Sequence, residues 1–118
     1  MVFPNDTNPH GTLFGGTMVA WMDKAAGYAS MRHAGGIVVT AAIDRIEFTV
    51  PVRVGDVIEL IATVNSVGRT SMRVAVEAFR ESVRDDRGRE LCTRGEFTMV
   101  AIDADGHPTK VPPLSDDG

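Results

Sequence analysis

Cysteine, histidine and aromatic residues are scarce in this chain, and each shortage removes a class of chemistry. The only cysteine, Cys92, excludes an internal disulfide. Its place in an apolar, β-branched run marks a packed strand position rather than a nucleophile. The three histidines, His10, His33 and His107, form no metal-ligand spacing with Cys92 or the acidic residues, so no metal is expected. There is no GxSxG elbow and no phosphate-binding loop. The GTLFGG segment has no βαβ unit around it and does not make a dinucleotide site. Positive charge is also short: 12 Lys and Arg stand against 16 Asp and Glu, a net charge of −4. A nucleic-acid binder usually carries a basic face, so no nucleic-acid partner is expected. No apolar run is long enough to span a bilayer, and the opening MVFPND has neither a basic nor an apolar leader region. The expected compartment is the cytoplasm, with no membrane partner.

What is present fits one domain of 118 residues. Met1 to Phe3 reads as the stub of a first strand. Pro4 to Gly11 is dense in turn formers, and Gly15 and Gly16 follow, with Thr17 a candidate helix cap. A long helix then runs to Gly35 and Gly36, which stop it. It is apolar nearly all round, as expected of a helix enclosed by other structure.

Beyond the helix the period changes to two. Ile37 to Val50 is rich in β-branched residues, and Pro51 and the Val54-Gly55-Asp56 turn interrupt it. Val57 to Val67 places Ile58, Leu60, Ala62 and Val64 on one face. Gly68-Arg69-Thr70 is a hairpin turn, after which Met72, Val74, Val76 and Ala78 repeat the apolar face. A charged loop centred on Asp86-Arg87-Gly88 leads into a last strand, Leu91 to Ile102, and a turn at Asp103 to Gly106. The expected class is α+β: one central helix wrapped by a curved antiparallel sheet of four strands, five with the stub. Residues 1–111 form the domain and 112–118 a short mobile tail. Apolar area left over is expected to be covered by self-association.

The singular residue is Asp23, a carboxylate midway along an apolar helix. A buried charge is costly unless it is paired or used. Its helical neighbours three and four positions away offer no cation, and Lys24 points about 100° aside. Gly16, Ala20, Asp23, Gly27, Ser30 and Ala34 form one stripe, small except for the acid, along which a sheet, a ligand or another subunit can approach. One reading has Asp23 paired elsewhere in a tightly packed interface; the other makes it reactive. Gly15 and Gly16 add free backbone N–H groups at a helix start, suited to an anion or a developing oxyanion, or simply to a tight turn. Asp23 lies about 10 Å along the helix from Gly16. Both serve one substrate carbonyl only if a second chain supplies one of them, which predicts a site at a subunit interface.

Several motifs together resemble the hotdog-fold acyl-CoA thioesterases, in particular the bacterial short-chain and cytosolic acyl-CoA hydrolase group. They are Asp6-x-Asn8-x-x-Gly11, Phe14-Gly15-Gly16, Met22-Asp23, Phe48-x-x-Pro51 with Val54-Gly55-Asp56, Gly68-Arg69-Thr70-Ser71 and Val76-Glu77. The similarity runs from about Pro4 to Asp103. It implies a sheet wrapped around the helix, dimers that assemble further into hexamers, and hydrolysis of acyl-CoA without a cofactor other than the coenzyme A of the substrate. It implies Asp23 as catalytic carboxylate, acting as general base or nucleophile, with Asn8 supplied by the neighbouring subunit. The Gly15 and Gly16 amides would polarise the thioester carbonyl, and Gly68, Arg69, Thr70 and Ser71 would contact the CoA arm. Phe14, Met18 and Met22 would line the acyl pocket, or else belong to the core.

Two other functions fit parts of the chain. Asp6-Thr7-Asn8-Pro9-His10 resembles the motif of hotdog enoyl-CoA hydratases, with one residue too few before the histidine, and leaves Asp23 idle. A non-catalytic acyl-CoA-binding hotdog module explains a pocket but not the position of Asp23.

Overall fold

In the computed structural model residues 1–84 and 88–114 are described. The centre of the expected charged loop, Asp86-Arg87, and the tail from residue 115 lie outside them. One helix, α1 (Gly15–Ala34), precedes four strands: β1 (Val38–Phe48), β2 (Asp56–Val67), β3 (Ser71–Ser82) and β4 (Arg89–Ala101). They form one antiparallel sheet in the order β1-β4-β3-β2. The arrangement is the helix against a curved antiparallel sheet expected of a hotdog fold.

The expected apolar faces are the ones that pack. Met72, Val74, Val76 and Ala78 of β3 are buried, and Ile58, Leu60, Ala62 and Val64 of β2 pack against the same core. From α1 the stripe Met18, Met22, Ala26, Ser30 descends onto the sheet. Full burial of each large side chain is worth about 1.5–3 kcal/mol. The Ser30 hydroxyl donates to the Ala26 carbonyl at 2.8 Å, which lets it lie in this apolar layer.

A kink in β1 sets the depth of the helix. Arg45 has φ +52°, and the β1–β4 register slips between Asp44 and Glu47, as in a β-bulge. The bulge carries Ile46 across Gly95 of β4, where an added Cβ would run into the Ile46 Cδ1 methyl and press on Met22. Glycine at 95 is therefore what allows strand, bulge and helix to meet.

Three local expectations are corrected. Met1 to Phe3 is no strand: Val2 is buried and exchanges backbone hydrogen bonds with Gly55 and Asp56, but a 3-10 turn at Pro4–Asp6 follows at once. Pro4 has no N–H with which to continue a ladder. Thr17 is not the helix cap. Phe14 holds that position in extended backbone without a side-chain cap bond, and Thr17 lies in the first turn. Nor is α1 enclosed on all sides, because a four-stranded sheet covers one stripe of it. Gly16 and Ala20 are exposed and Tyr28 is 64% exposed, so the small-residue stripe faces sideways, away from the sheet. Gly35 ends the helix as foreseen, with φ +73° and its N–H on the Met31 carbonyl.

Because β1 and β2 occupy opposite edges, the segment 49–55 must cross the end of the sheet. Its path is pinned. The Thr49 amide donates to the Cys92 carbonyl at 2.9 Å, and the Leu13 amide donates to the Val52 carbonyl at 2.7 Å. This crossover runs beside the start of α1.

Candidate active site

Asp23 is half-buried on the flank of α1, and its partner comes from β1: the Thr40 hydroxyl donates to Asp23 Oδ1 at 2.6 Å. No basic side chain lies within ion-pair distance of Asp23 among the described residues. The carboxylate opens onto a groove of about 270 Å³ bordered by Gly27, Tyr28, Met31, Thr40 and Met99. An oriented, unpaired carboxylate at a groove can accept a proton or attack an electrophile. Thr40 escaped the sequence reading because a threonine in a β-branched strand is ordinary; only its proximity to Asp23 distinguishes it.

Gly15 and Gly16 open α1, where the first amides have no carbonyl one turn back to receive them. The space where a Gly16 Cβ would stand is empty, and Gly15 lies under the Phe48 ring, 3.3 Å from its projected Cβ. The helix macrodipole adds partial positive charge at this end. A cavity of about 350 Å³ adjoins Gly15, bordered by Leu13, Met18, Phe48, Val52 and Thr93. Of the three residues expected to line an acyl pocket, Met18 borders this cavity. Met22 is fully buried in the core, and Phe14 is 47% exposed at the helix start.

Asn8 organises the loop before the helix. Its Oδ1 accepts the His10 amide at 2.9 Å and the Thr12 amide at 3.3 Å, and its Nδ2 donates to Thr12 Oγ1 at 2.9 Å. Asp6 caps the 3-10 turn through the Phe3 amide, and His10 is exposed. The turn at Gly68 to Ser71 joins β2 to β3, with the Gly68 amide on the Ser71 carbonyl. Arg69 is exposed there, and its carbonyl accepts the Val111 amide at 2.9 Å. Along one helix Asp23 and Gly16 remain about 10 Å apart, so the chain does not bring them to a common atom by itself.

Away from this region, Asp103, Asp105 and His107 bring their ligand atoms within 4.8 Å of one another. The sequence reading saw no such grouping. All three are exposed, and Asp103 Oδ1 already accepts the amides of Asp105 and His107, which closes the turn. A second buried cluster joins Arg80 to Asp56 at 3.0 Å and to Glu90. The hydrogen bond from Asp56 and its charge hold the Arg80 guanidinium above its ordinary value, against the opposing effect of burial. Cys92 is buried with its thiol donating to the Ala78 carbonyl, and burial pushes that thiol up. Among the described residues no helix is long and apolar enough to cross a membrane.

Comparison with known proteins supplies the family. Residues 10–86 match the thioesterase superfamily. An uncharacterized acyl-CoA thioester hydrolase of Zymomonas mobilis is 44% identical over 98% of this chain and 77% of its own length. The acyl-CoA hydrolase of Staphylococcus aureus, solved with butyryl coenzyme A and coenzyme A, superposes with a TM-score of 0.91 at 39% identity, over 98% of this chain and 70% of that one. That enzyme has also been solved as single alanine variants at an asparagine, a threonine and an aspartate. A hexameric thioesterase of Yersinia pestis superposes with a TM-score of 0.88 at 34% identity, over 95% of this chain and 90% of that one. With its helix against an antiparallel sheet and its match over most of the length, the chain belongs to the thioesterase superfamily and is a hotdog-fold thioesterase.

Proposed function

We propose that this chain hydrolyses acyl-CoA thioesters to a carboxylic acid and free coenzyme A, in the cytoplasm, at a site built by two copies. The observation that carries this reading is Asp23: a carboxylate without a cation among the described residues, oriented by Thr40 and open to a groove. A second observation supports it. In the S. aureus hydrolase the asparagine, aspartate and threonine chosen for alanine replacement are fifteen and seventeen positions apart, the spacings that separate Asn8, Asp23 and Thr40 here.

The thioester carbonyl oxygen sits against the Gly15 and Gly16 amides of one copy, whose free N–H groups stabilise the negative charge that develops as the carbonyl is attacked. Asp23 of the other copy takes a proton from water, or attacks the carbonyl carbon itself. Coenzyme A departs as a thiolate, a better leaving group at neutral pH than an alkoxide. Asn8 completes the polar wall from the copy that supplies the glycines. Arg69, exposed in the turn Gly68 to Ser71, meets the phosphates of the CoA arm. Phe14, Met18 and Met22 belong to the acyl side, Met18 at the cavity and the other two as its support.

Self-association supports this arrangement. The edge strand β1 exposes Val39, Ile43 and Phe48, and α1 exposes Tyr28 and Met31 beside it. The copies pair through this region into dimers, and the dimers assemble into hexamers, the state given for the Y. pestis relative. The test is release of free coenzyme A from a panel of acyl-CoA esters by wild type and Asp23→Asn. Turnover is expected in the first and a loss of at least a hundredfold in the second. Undiminished turnover by Asp23→Asn disproves the role given to it.

A further inference from the structure

The cavity beside Gly15 is larger than a turn between a loop and a helix requires, and it is built from parts of the chain far apart in sequence. From its position and lining we infer that it receives the acyl tail of the substrate, with Phe48 and Thr93 setting the length of tail accepted. The inference rests on the reading of the Gly15 and Gly16 amides as the holders of the thioester carbonyl.

A carbonyl oxygen held at those amides leaves little freedom to the tail, which starts one bond from the carbonyl carbon. Gly15 is itself part of the cavity wall, so the tail begins at the mouth of this chamber. Its other walls are mostly apolar: Leu13, Met18, Val50 and Val52. The alternative groove, at Asp23, is bordered by Lys24 and the Asp23 carboxylate, a poor lining for a hydrocarbon chain.

Exposure orders the walls from mouth to floor. Phe48 is 56% exposed and leans on Gly15, so it stands at the entrance. Thr93, in the middle of β4, is 1% exposed and lies at depth. The crossover between them is held by the Thr49 and Val50 amides on the Cys92 carbonyl and by Val52 on Leu13, so the chamber is a rigid gauge rather than an adaptable one. Its volume of about 350 Å³ is a little over twice the roughly 150 Å³ of an apolar cavity that binds benzene. A straight aliphatic tail of short to medium length fits; a long fatty chain does not. Neither Phe48 nor Thr93 touches the reacting atoms. They act by shape, and specificity is where they are felt.

The experiment compares kcat/KM for acetyl-, butyryl-, hexanoyl-, decanoyl- and palmitoyl-CoA in wild type, Phe48→Ala and Thr93→Leu. Wild type should favour butyryl to decanoyl and fall off at palmitoyl. Thr93→Leu fills the floor and should lower the decanoyl-to-butyryl ratio about tenfold, the effect of roughly one methylene in an apolar pocket. Phe48→Ala opens the mouth and should raise the palmitoyl-to-butyryl ratio by a similar factor. Ratios within twofold of wild type in Phe48→Ala overturn the inference, whether or not Thr93→Leu folds, because Phe48 is on the surface. A wild type inert toward the whole panel overturns the thioesterase reading instead, and the assignment of the cavity with it.

Discussion

The Thr40 hydroxyl hydrogen-bonds Asp23 Oδ1 at 2.6 Å, so the carboxylate on α1 is aimed by the strand that follows the helix. Residues seventeen positions apart thus form one unit, joined by the turn at Gly35 and Gly36. The bond holds Oδ1 and leaves Oδ2 free of partners among the described residues.

Removing that hydrogen bond should slow chemistry more than binding. A hydrogen bond to a charged group contributes about 1.5–3 kcal/mol, equivalent to roughly 10- to 100-fold in rate. Thr40→Val is expected to lower kcat by that factor with KM nearly unchanged, and Thr40→Ser to restore most of it. Steady-state kinetics on one acyl-CoA ester decides; a Thr40→Val enzyme with wild-type kcat would dissociate Thr40 from the carboxylate's function.

A different pair holds the far end of the sheet. Asp56 begins β2 and receives Arg80 of β3 at 3.0 and 3.3 Å, while Glu90 of β4 binds the same guanidinium. Arg80 is 3% exposed and Asp56 5%, so removing either leaves a buried charge uncompensated. Asp56→Ala should cost about 3–5 kcal/mol of stability, and an Asp56→Leu/Arg80→Met double variant should recover much of it. Urea unfolding at one fixed protein concentration measures both; equal losses in the single and double variants would refute this account.

Cys92 gives the fold a pH limit on the alkaline side. Burial, the largest influence, raises its thiol above the ordinary value of 9.0. The folded chain therefore keeps a proton that the unfolded chain releases, and the associated stability is complete below about pH 9 and lost as pH rises further. Cys92→Ala should show a shallower decline in stability between pH 9 and 11 than wild type. The same burial should keep the native thiol inert to aromatic disulfide reagents until the protein is unfolded. Parallel decline of wild type and variant would contradict this.

Much of the architecture could be read from residue order because it is local. Ile58, Leu60, Ala62 and Val64 face the same way as Met72, Val74, Val76 and Ala78 since a short turn at Gly68 fixes their register. Asp23 stood out as a charge where an apolar residue was expected. Strand order could not be read: β4 joins β1 to β3 through pairings such as Ile43 with Phe97 and Val74 with Phe97, and no turn signal announces contacts at that distance. The start of the helix was misjudged because Thr17 has the right chemistry for a cap, whereas the chain bends one step before Gly15. Thr40, Phe48 and Thr93 were silent for a common reason. Each is an unremarkable strand residue until the sheet curves and brings it to Asp23 or Gly15.

The rigid spacing along α1 between Gly16 and Asp23 has a consequence for mixtures of damaged chains. If one copy lends its glycine amides and the other its carboxylate, two variants that are dead for different reasons can rescue each other. Asp23→Asn chains keep intact amides, and Gly16→Pro chains, which lose one of those N–H groups, keep an intact carboxylate. Unfolded together and refolded at equal amounts, they should form mixed pairs holding one sound site of two, regaining roughly a quarter of wild-type activity at random pairing. Refolded separately and mixed only afterwards, they should stay inactive for as long as the pairs do not exchange.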